Sequence, residues 1–187
     1  MKFLDQLEEW LITLLIGAAT VITFVAVIHR YGSGLPIPGL QDWLISINMA
    51  WAQELTIIMF VWMAKFGAAY GVRTGIHVGV DILVETLTGN AKRAMIVAGL
   101  LAGALFTVII GTLGAHLVWH IARTGQTSAV LEVPMWLVYL AVPLGSYLMC
   151  FRFLEVAWHF WKTGERPHHD PGKVEGIDQP TPAEGAR

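Results

Sequence analysis

Charged residues are scarce in this 187-residue chain: Asp, Glu, Lys and Arg make up 14% of it, whereas soluble domains carry about 25%. Hydrophobic residues supply 55% of the chain and the mean hydropathy is +0.58, which indicates that its solvent is a lipid bilayer. A spanning helix needs about 20 mostly apolar residues. A chain of this length therefore holds a handful of spans and no separate soluble domain.

The sequence also lacks an excess of basic residues and has a single cysteine. A formal net charge of −2 leaves no basic surface of the kind that nucleic acid requires, so nucleic acid is not expected as a partner. Cys150 has no second thiol for a disulfide, and no Cys/His metal spacing occurs. Nucleotide loops, Ser/His/Asp arrangements and H-E-x-x-H are absent as well. We therefore expect neither an enzyme nor a bound metal or cofactor.

Four apolar segments are long enough to cross a membrane. We expect spans at about residues 10–28, 48–70, 94–122 and 133–155, within an all-α membrane domain over residues 1–165. The first span follows an acidic start rather than the basic leader of a signal peptide, so it is expected to be retained. Residues 41–50 are expected to lie flat on the membrane interface. Residues 166–187 contain four prolines and no apolar cluster, which predicts a disordered tail.

Basic residues indicate the orientation of the spans, because cytoplasmic flanks are enriched in Lys and Arg. With the N-terminus inside, only Arg30 and Arg123 flank outer ends. The residues that then flank inner ends are Lys2, Lys65, Arg73, Lys92, Arg93, Arg152, Lys162 and Arg166. Both termini, and with them the tail, are therefore predicted to be cytoplasmic.

Small residues within the spans predict where helices approach each other closely in lipid. They include Gly99, Gly103, Gly111 and Gly114 in the third span and Gly67 in the second. The first and fourth spans present mostly Leu, Ile, Val and Phe. These two spans are expected to face lipid or a large apolar partner.

Glu54 is the most conspicuous polar residue, because a carboxylate inside a span is costly unless it is protonated or partnered. Lys65 follows 11 residues later, about 16 Å away along a helix axis, and cannot reach it. The residues expected at its depth, and hence its expected partners, are Arg30, His116, His120 and Arg123. Two roles stay open for Glu54: a proton or ion site, and an interhelical clasp, which we favour.

Two other functions fit isolated residues. A small proton-coupled exporter would use Glu54 as its coupling carboxylate. A haem-binding membrane anchor of an oxidoreductase would use His29, His116 or His120 as axial ligands. Histidines at the outer end of a helix are more often interfacial hydrogen-bonding groups, so both functions depend on weak signals.

A longer pattern runs through the second span and the connection after it. It reads Trp51-Ala-Gln-Glu54, then Trp62-Met-Ala-Lys-Phe-Gly67-Ala-Ala-Tyr-Gly-Val-Arg73, then Gly75-Ile-His77-Val-Gly-Val-Asp81. Downstream stand Lys92-Arg93, Gly125-Gln-Thr-Ser-Ala129, Pro134-Met-Trp136, Tyr139 and Pro143. Over about residues 3–165 the chain resembles the small permease subunits of TRAP (tripartite, ATP-independent, periplasmic) transporters, the DctQ-like family.

This resemblance implies a four-helix subunit of the bacterial inner membrane that works with a large permease subunit and a periplasmic substrate-binding protein. The large subunit would carry the solute, expected to be an organic acid, and the sodium that drives uptake. This chain would dock to the scaffold of the large subunit and stabilise it. The candidate residues for folding or intersubunit contact are Glu54, Lys65, Arg73, His77, Asp81 and Arg93.

Overall fold

The computed structural model describes residues 2–74 and 89–163, with side chains described from residue 6 onwards. The first range forms α1 (Lys2–Gly32), α2 (Leu40–Ser46) and α3 (Ala50–Thr74). The second forms α4 (Gly89–Thr124), α5 (Met135–Tyr139) and α6 (Ala141–Thr163). The candidates His77 and Asp81 and the predicted tail lie outside the described residues.

Four helical segments are long and apolar enough to cross a membrane. They are Gln6–Gly32, Ala50–Thr74, Gly89–Thr124 and Met135–Thr163, the last made of α5 and α6 together. The predicted all-α, four-span fold is confirmed. Most ends of these helices extend beyond the predicted spans. Helical hydrogen bonding continues into the polar segments that flank a hydrocarbon layer.

The fourth span is a broken helix rather than the single one predicted from its apolar run. α5 ends at Tyr139 and α6 begins at Ala141, with Pro143 as its third residue. A proline has no N–H for the carbonyl four residues earlier, here that of Tyr139, and its ring crowds that carbonyl. The Leu140 N–H still donates to the Trp136 carbonyl at 3.0 Å, which keeps α5 and α6 joined.

The segment before the second span forms the short helix α2. It is tied to the end of α1, where Nε2 of His29 lies 2.8 Å from the Leu44 carbonyl oxygen. Trp43 and Ile45 are exposed, as apolar side chains that enter a headgroup layer would be. That this helix lies on the membrane interface stays a prediction.

The four long helices pack in an open row, in the order α1, α3, α6, α4. The pairs α1–α3 and α4–α6 are antiparallel, whereas the two inner helices α3 and α6 run parallel. Within the described residues, the outer helices α1 and α4 have no extended contact with each other. We call the end with the first residues of α1 and the last of α6 the terminal end, and the opposite end the loop end. Large apolar side chains remain exposed on the outer helices, among them Leu14, Val21, Phe24, Leu105, Phe106 and Leu113.

Candidate functional site

Glu54 lies near the loop end of α3, as its fifth residue, and holds the loop that joins α4 to α5. Its Oε2 accepts the backbone N–H of Val130 at 2.9 Å and that of Leu131 at 3.0 Å. The prediction that Glu54 contacts Arg30, His116, His120 or Arg123 is wrong. Two successive backbone N–H groups form a nest for the carboxylate, and such a nest needs no cation.

The loop held by Glu54 has internal order of its own. The Ser128 N–H donates to the Val133 carbonyl at 2.8 Å, and the Val133 N–H donates to the Ser128 hydroxyl oxygen at 3.2 Å. An isolated bridge joins Thr127 to Pro134. Gly125 ends α4 at φ +64°, a left-handed conformation that favours glycine. The carboxylate therefore fastens a shaped loop onto α3. This is a contact between a helix and a loop rather than the interhelical clasp favoured from the sequence, and the role of Glu54 stays a prediction.

Replacing Glu54 with alanine should release this loop, whereas Glu54→Gln should hold it, because the amide oxygen of glutamine still accepts both N–H groups. We expect hydrogen exchange of the Val130 and Leu131 amides to rise about tenfold or more in E54A and to stay near that of the parent in E54Q. Peptide-resolved exchange in detergent, followed by mass spectrometry, measures both. Equal exchange rates in all three proteins would show that Glu54 does not hold the loop.

A buried ion pair joins α1 to α6 at the terminal end. Arg152 donates from Nε and Nη2 to Oε1 of Glu8, at 3.1 and 2.8 Å, and from Nη1 to Oε2 of Glu155 at 2.7 Å. The side chains of Arg152 and Glu8 are 1% and 2% exposed. Arg152, predicted from the sequence to flank an inner end, is thus buried in a contact between helices, and its depth in the membrane stays a prediction. Neither member of the pair was a site candidate on sequence grounds.

A second ion pair at the same end joins α3 to α1. Nη2 of Arg73 lies 3.2 Å from Oε1 of Glu9, and the guanidinium carbon stands 5.3 Å from the centroid of the Tyr70 ring. Both charged side chains are partly exposed. The consecutive Glu8 and Glu9 thus connect the first helix to both inner helices of the row.

Arg93, His116 and His120 take no part in the contacts of Glu54 or in the ion pairs at the terminal end. Arg93 is exposed near the start of α4 and lines a groove with Val97 and Phe160. The rings of His116 and His120 stand edge to face, 4.9 Å apart. In the described ranges no group of three or more His, Cys, Asp or Glu is placed to hold a metal ion.

Lys65 lies inside α3, nine residues before the helix ends at Thr74. Its backbone and stem meet α6 at Gly145, so closely that a Cβ added to Gly145 would stand 2.5 Å from the Cβ of Lys65. The side chain is half-buried. Among the described residues Nζ has no hydrogen-bond or ion-pair partner, which sets Lys65 apart from Glu54 and Arg73.

Comparison with known proteins bears on what such a molecule does. Residues 19–163 match the family model for the DctQ component of tripartite ATP-independent periplasmic transporters. The chain is 54% identical over 196 residues to a C4-dicarboxylate TRAP transporter small permease protein of Rhodobacter capsulatus, across 95% of this chain and 86% of that protein. Proteins of the same description in Pseudomonas aeruginosa and Vibrio cholerae are 31% and 28% identical, across 81% and 84% of this chain and 80% and 72% of theirs.

Proposed function

This chain belongs to the DctQ component family of the tripartite ATP-independent periplasmic transporters, and from that premise we propose that it docks to a large permease subunit and stabilises its scaffold during uptake of a C4-dicarboxylate. As a family member it is a multi-pass transport component of the bacterial inner membrane and not an enzyme. The substrate class is inferred from the relatives' descriptions.

The open row of helices is the observation that supports an accessory role. A subunit that moved an anion by itself would need polar groups along a path through the membrane. The polar contacts among the described residues instead cluster at the two ends of the row, around Glu54 and around Arg152. Between them, α1 and α4 present exposed Leu, Ile, Val and Phe, a surface suited to lipid or to the apolar helices of a larger subunit.

The partners and the orientation are part of the same proposal. Solute and sodium would bind in the large subunit, and a periplasmic protein would deliver the solute. Without Lys65 and Arg152, six of the basic residues first assigned to inner flanks remain there, against Arg30 and Arg123 at outer ends. This excess supports cytoplasmic termini. The loop held by Glu54 would then face the periplasm, where the delivering protein approaches.

The exporter alternative is disfavoured by the contacts of Glu54. Its Oε2 is engaged by two backbone N–H groups near one end of a span, whereas a coupling carboxylate must gain and lose a proton along a solute path. In the assembled transporter, E54Q is expected to keep both uptake and its pH dependence. A collapse of uptake with loss of pH dependence at unchanged assembly would favour the exporter mechanism.

Co-purification and uptake test the proposal directly. From mild-detergent membranes the tagged chain should bring down a large multi-span subunit at stoichiometric yield. Proteoliposomes with both subunits, the periplasmic protein and an inward sodium gradient should accumulate succinate, and omission of this chain should reduce accumulation to near background. Recovery of the chain alone, or succinate transport by it alone, would refute the accessory role.

A further inference from the structure

Lys65 carries a charge that the surrounding described residues do not neutralise. Its Cα lies about 13 Å from the end of α3, well inside a helix that is apolar enough to span the membrane. A charged side chain at such a depth is costly unless it is paired or reaches water. Among the described residues, Nζ of Lys65 has no acceptor within hydrogen-bond distance.

The carboxylates of the described part are committed elsewhere or lie too far away. Glu8, Glu9 and Glu155 bond arginines at the terminal end. Glu54 bonds the loop at the other end, and its Cα lies about 16 Å from that of Lys65 along α3. Within the described residues no carboxylate is left to neutralise Lys65, which points to a neighbouring molecule as the source of its counter-ion.

The depth of Lys65 favours a protein carboxylate over a lipid phosphate. Arg73, whose ion pair with Glu9 marks the terminal end of α3, lies about 12 Å further along the helix. An extended lysine side chain reaches about 6 Å from its Cα. A helical Cα–Cβ bond also leans toward the N-terminus of its helix, which for α3 is away from the nearer headgroups. Snorkelling toward them works against this geometry.

Gly145 fixes where the side chain can go. The α6 backbone packs directly on the start of the Lys65 side chain. A Cβ built on Gly145 would lie within 3.3 Å of the Cα, Cβ and Cγ of Lys65. The stem is therefore clamped between α3 and α6. The residue as a whole is only half-buried, so α3 and α6 do not enclose it.

We infer that Lys65 is an intramembrane docking cation that pairs with a carboxylate on a transmembrane helix of the large permease subunit, at the crossing of α3 and α6. This inference rests on the proposed function, and it adds a site and a partner chemistry to it. The pair would also fix the register between the subunits, because a slip of one helical turn would leave both charges unpaired in the membrane.

The variant K65M tests the inference, since methionine keeps a long unbranched stem and loses only the charge. We expect the yield of co-purified large subunit to fall about tenfold or more in K65M and to stay within about twofold of the parent in K65R. The matched control is K92M, at the start of α4 and outside the helix crossing, which should leave the yield unchanged. The thermal unfolding temperature of the chain purified alone should not fall in K65M, because no partner among the described residues is lost.

Zero-length cross-linking of the intact complex identifies the partner group. A membrane-permeant carbodiimide activates a carboxylate, and an adjacent amine then forms an amide while the reagent leaves as a urea. We expect mass spectrometry to find Lys65 Nζ joined to an Asp or Glu of the large subunit. Absence of that cross-link, together with parent-like yield in K65M, would overturn the inference while co-purification by the parent upheld the proposed function.

Two further outcomes would overturn the inference in favour of other roles. If K65M lowered the unfolding temperature of the isolated chain as well as the yield, Lys65 would be an internal structural residue. If the parent complex fell apart on delipidation and recovered with phosphatidylglycerol, while K65M showed no such dependence, the counter-ion would be a lipid phosphate. If the parent itself brought down no large subunit, the proposed function would fail first.

Discussion

Replacing Arg152 with methionine should cost about 3–5 kcal/mol of the chain's free energy of unfolding, which is enough to prevent stable folding of many proteins. The cost arises because Glu8, 2% exposed, would be left as a buried charge without its counter-ion. Glu8 cannot simply turn to water, since it is buried between α1 and α6. Its Oε2 already has no hydrogen-bond partner among the described residues. The loss of Arg152 would therefore leave the carboxylate of Glu8 without the side-chain donors that now bond its Oε1.

The matched control for R152M is E155Q. Glu155 is 37% exposed and its removal leaves the bonds between Arg152 and Glu8 in place, so a loss below about 1 kcal/mol is expected. The double variant E8Q/R152M removes both charges and should recover most of the loss of R152M. Tryptophan fluorescence during unfolding in detergent follows all three. Parent-like stability of R152M, or losses that simply add in the double variant, would contradict a mutually dependent buried pair.

The existence of the four spans could be predicted from sequence because it depends on local properties, namely length and apolarity. The partners of the polar groups could not be predicted from sequence, because they depend on the path that each loop takes in three dimensions. Depth along a span led to Arg30, His116, His120 and Arg123 as partners of Glu54. The true donors are backbone N–H groups of a loop whose path bends at Gly125 and at Glu132, which has φ +54°. Composition carries no information about such a path.

The pairing of Glu8 with Arg152 shows a second limit. Counting basic residues assigns each one to the nearest flank, and this treats a buried arginine like a solvated one. A usable signal was present, because Arg152 stands within the apolar run from Tyr147 to Leu154. A charge in such a run demands a partner, but three acidic residues precede the first span and sequence alone does not select among them.

The prediction of which glycines mark close helix contacts was correct only in part. Gly103, Gly111 and Gly114 do pack closely against α6, on Phe153, Tyr147 and Val142 respectively, which confirms that part of the third-span prediction. A Cβ at Gly67 or Gly99 would meet nothing within 4 Å. The shortest such distance among the described glycines is at Gly145, in a span predicted to present mostly Leu, Ile, Val and Phe. Which face of a helix meets its neighbour depends on the packing order, and composition does not reveal that order.

The polar contacts that join separate segments of the described part lie toward the two ends of the row. The described part is fastened at the loop end by Glu54 and at the terminal end by Arg73 and Arg152. Between these ends the neighbouring helices meet through apolar and small residues, and Lys65 has no hydrogen-bond or ion-pair partner within this described part. A row that is fixed at both ends and open in the middle can present a wide, rigid apolar surface.

The variant G145A should destabilise the isolated chain by about 1–3 kcal/mol, and G145L by more, because the added side chain meets atoms that cannot easily move. The nearest atom to the new Cβ is the Cβ of Lys65 at 2.5 Å, and its Cα lies at 3.3 Å. Relief therefore requires α3 and α6 to separate. At Gly103 the obstacle is the ring of Phe153 at 2.8 Å, which can shift, so G103A should cost less.

The position of Gly145 in the row makes this contact the more sensitive one. α3 and α6 are the two inner helices, so their contact is the main helix packing between an α1–α3 pair and an α6–α4 pair. The matched control is G67A, also inside α3, where a Cβ meets nothing and the gain in helix propensity should raise stability by about 0.5–1 kcal/mol. Unfolding in detergent should thus shift in opposite directions for G145A and G67A. A shared direction would mean that the α3–α6 contact does not control the stability of the row.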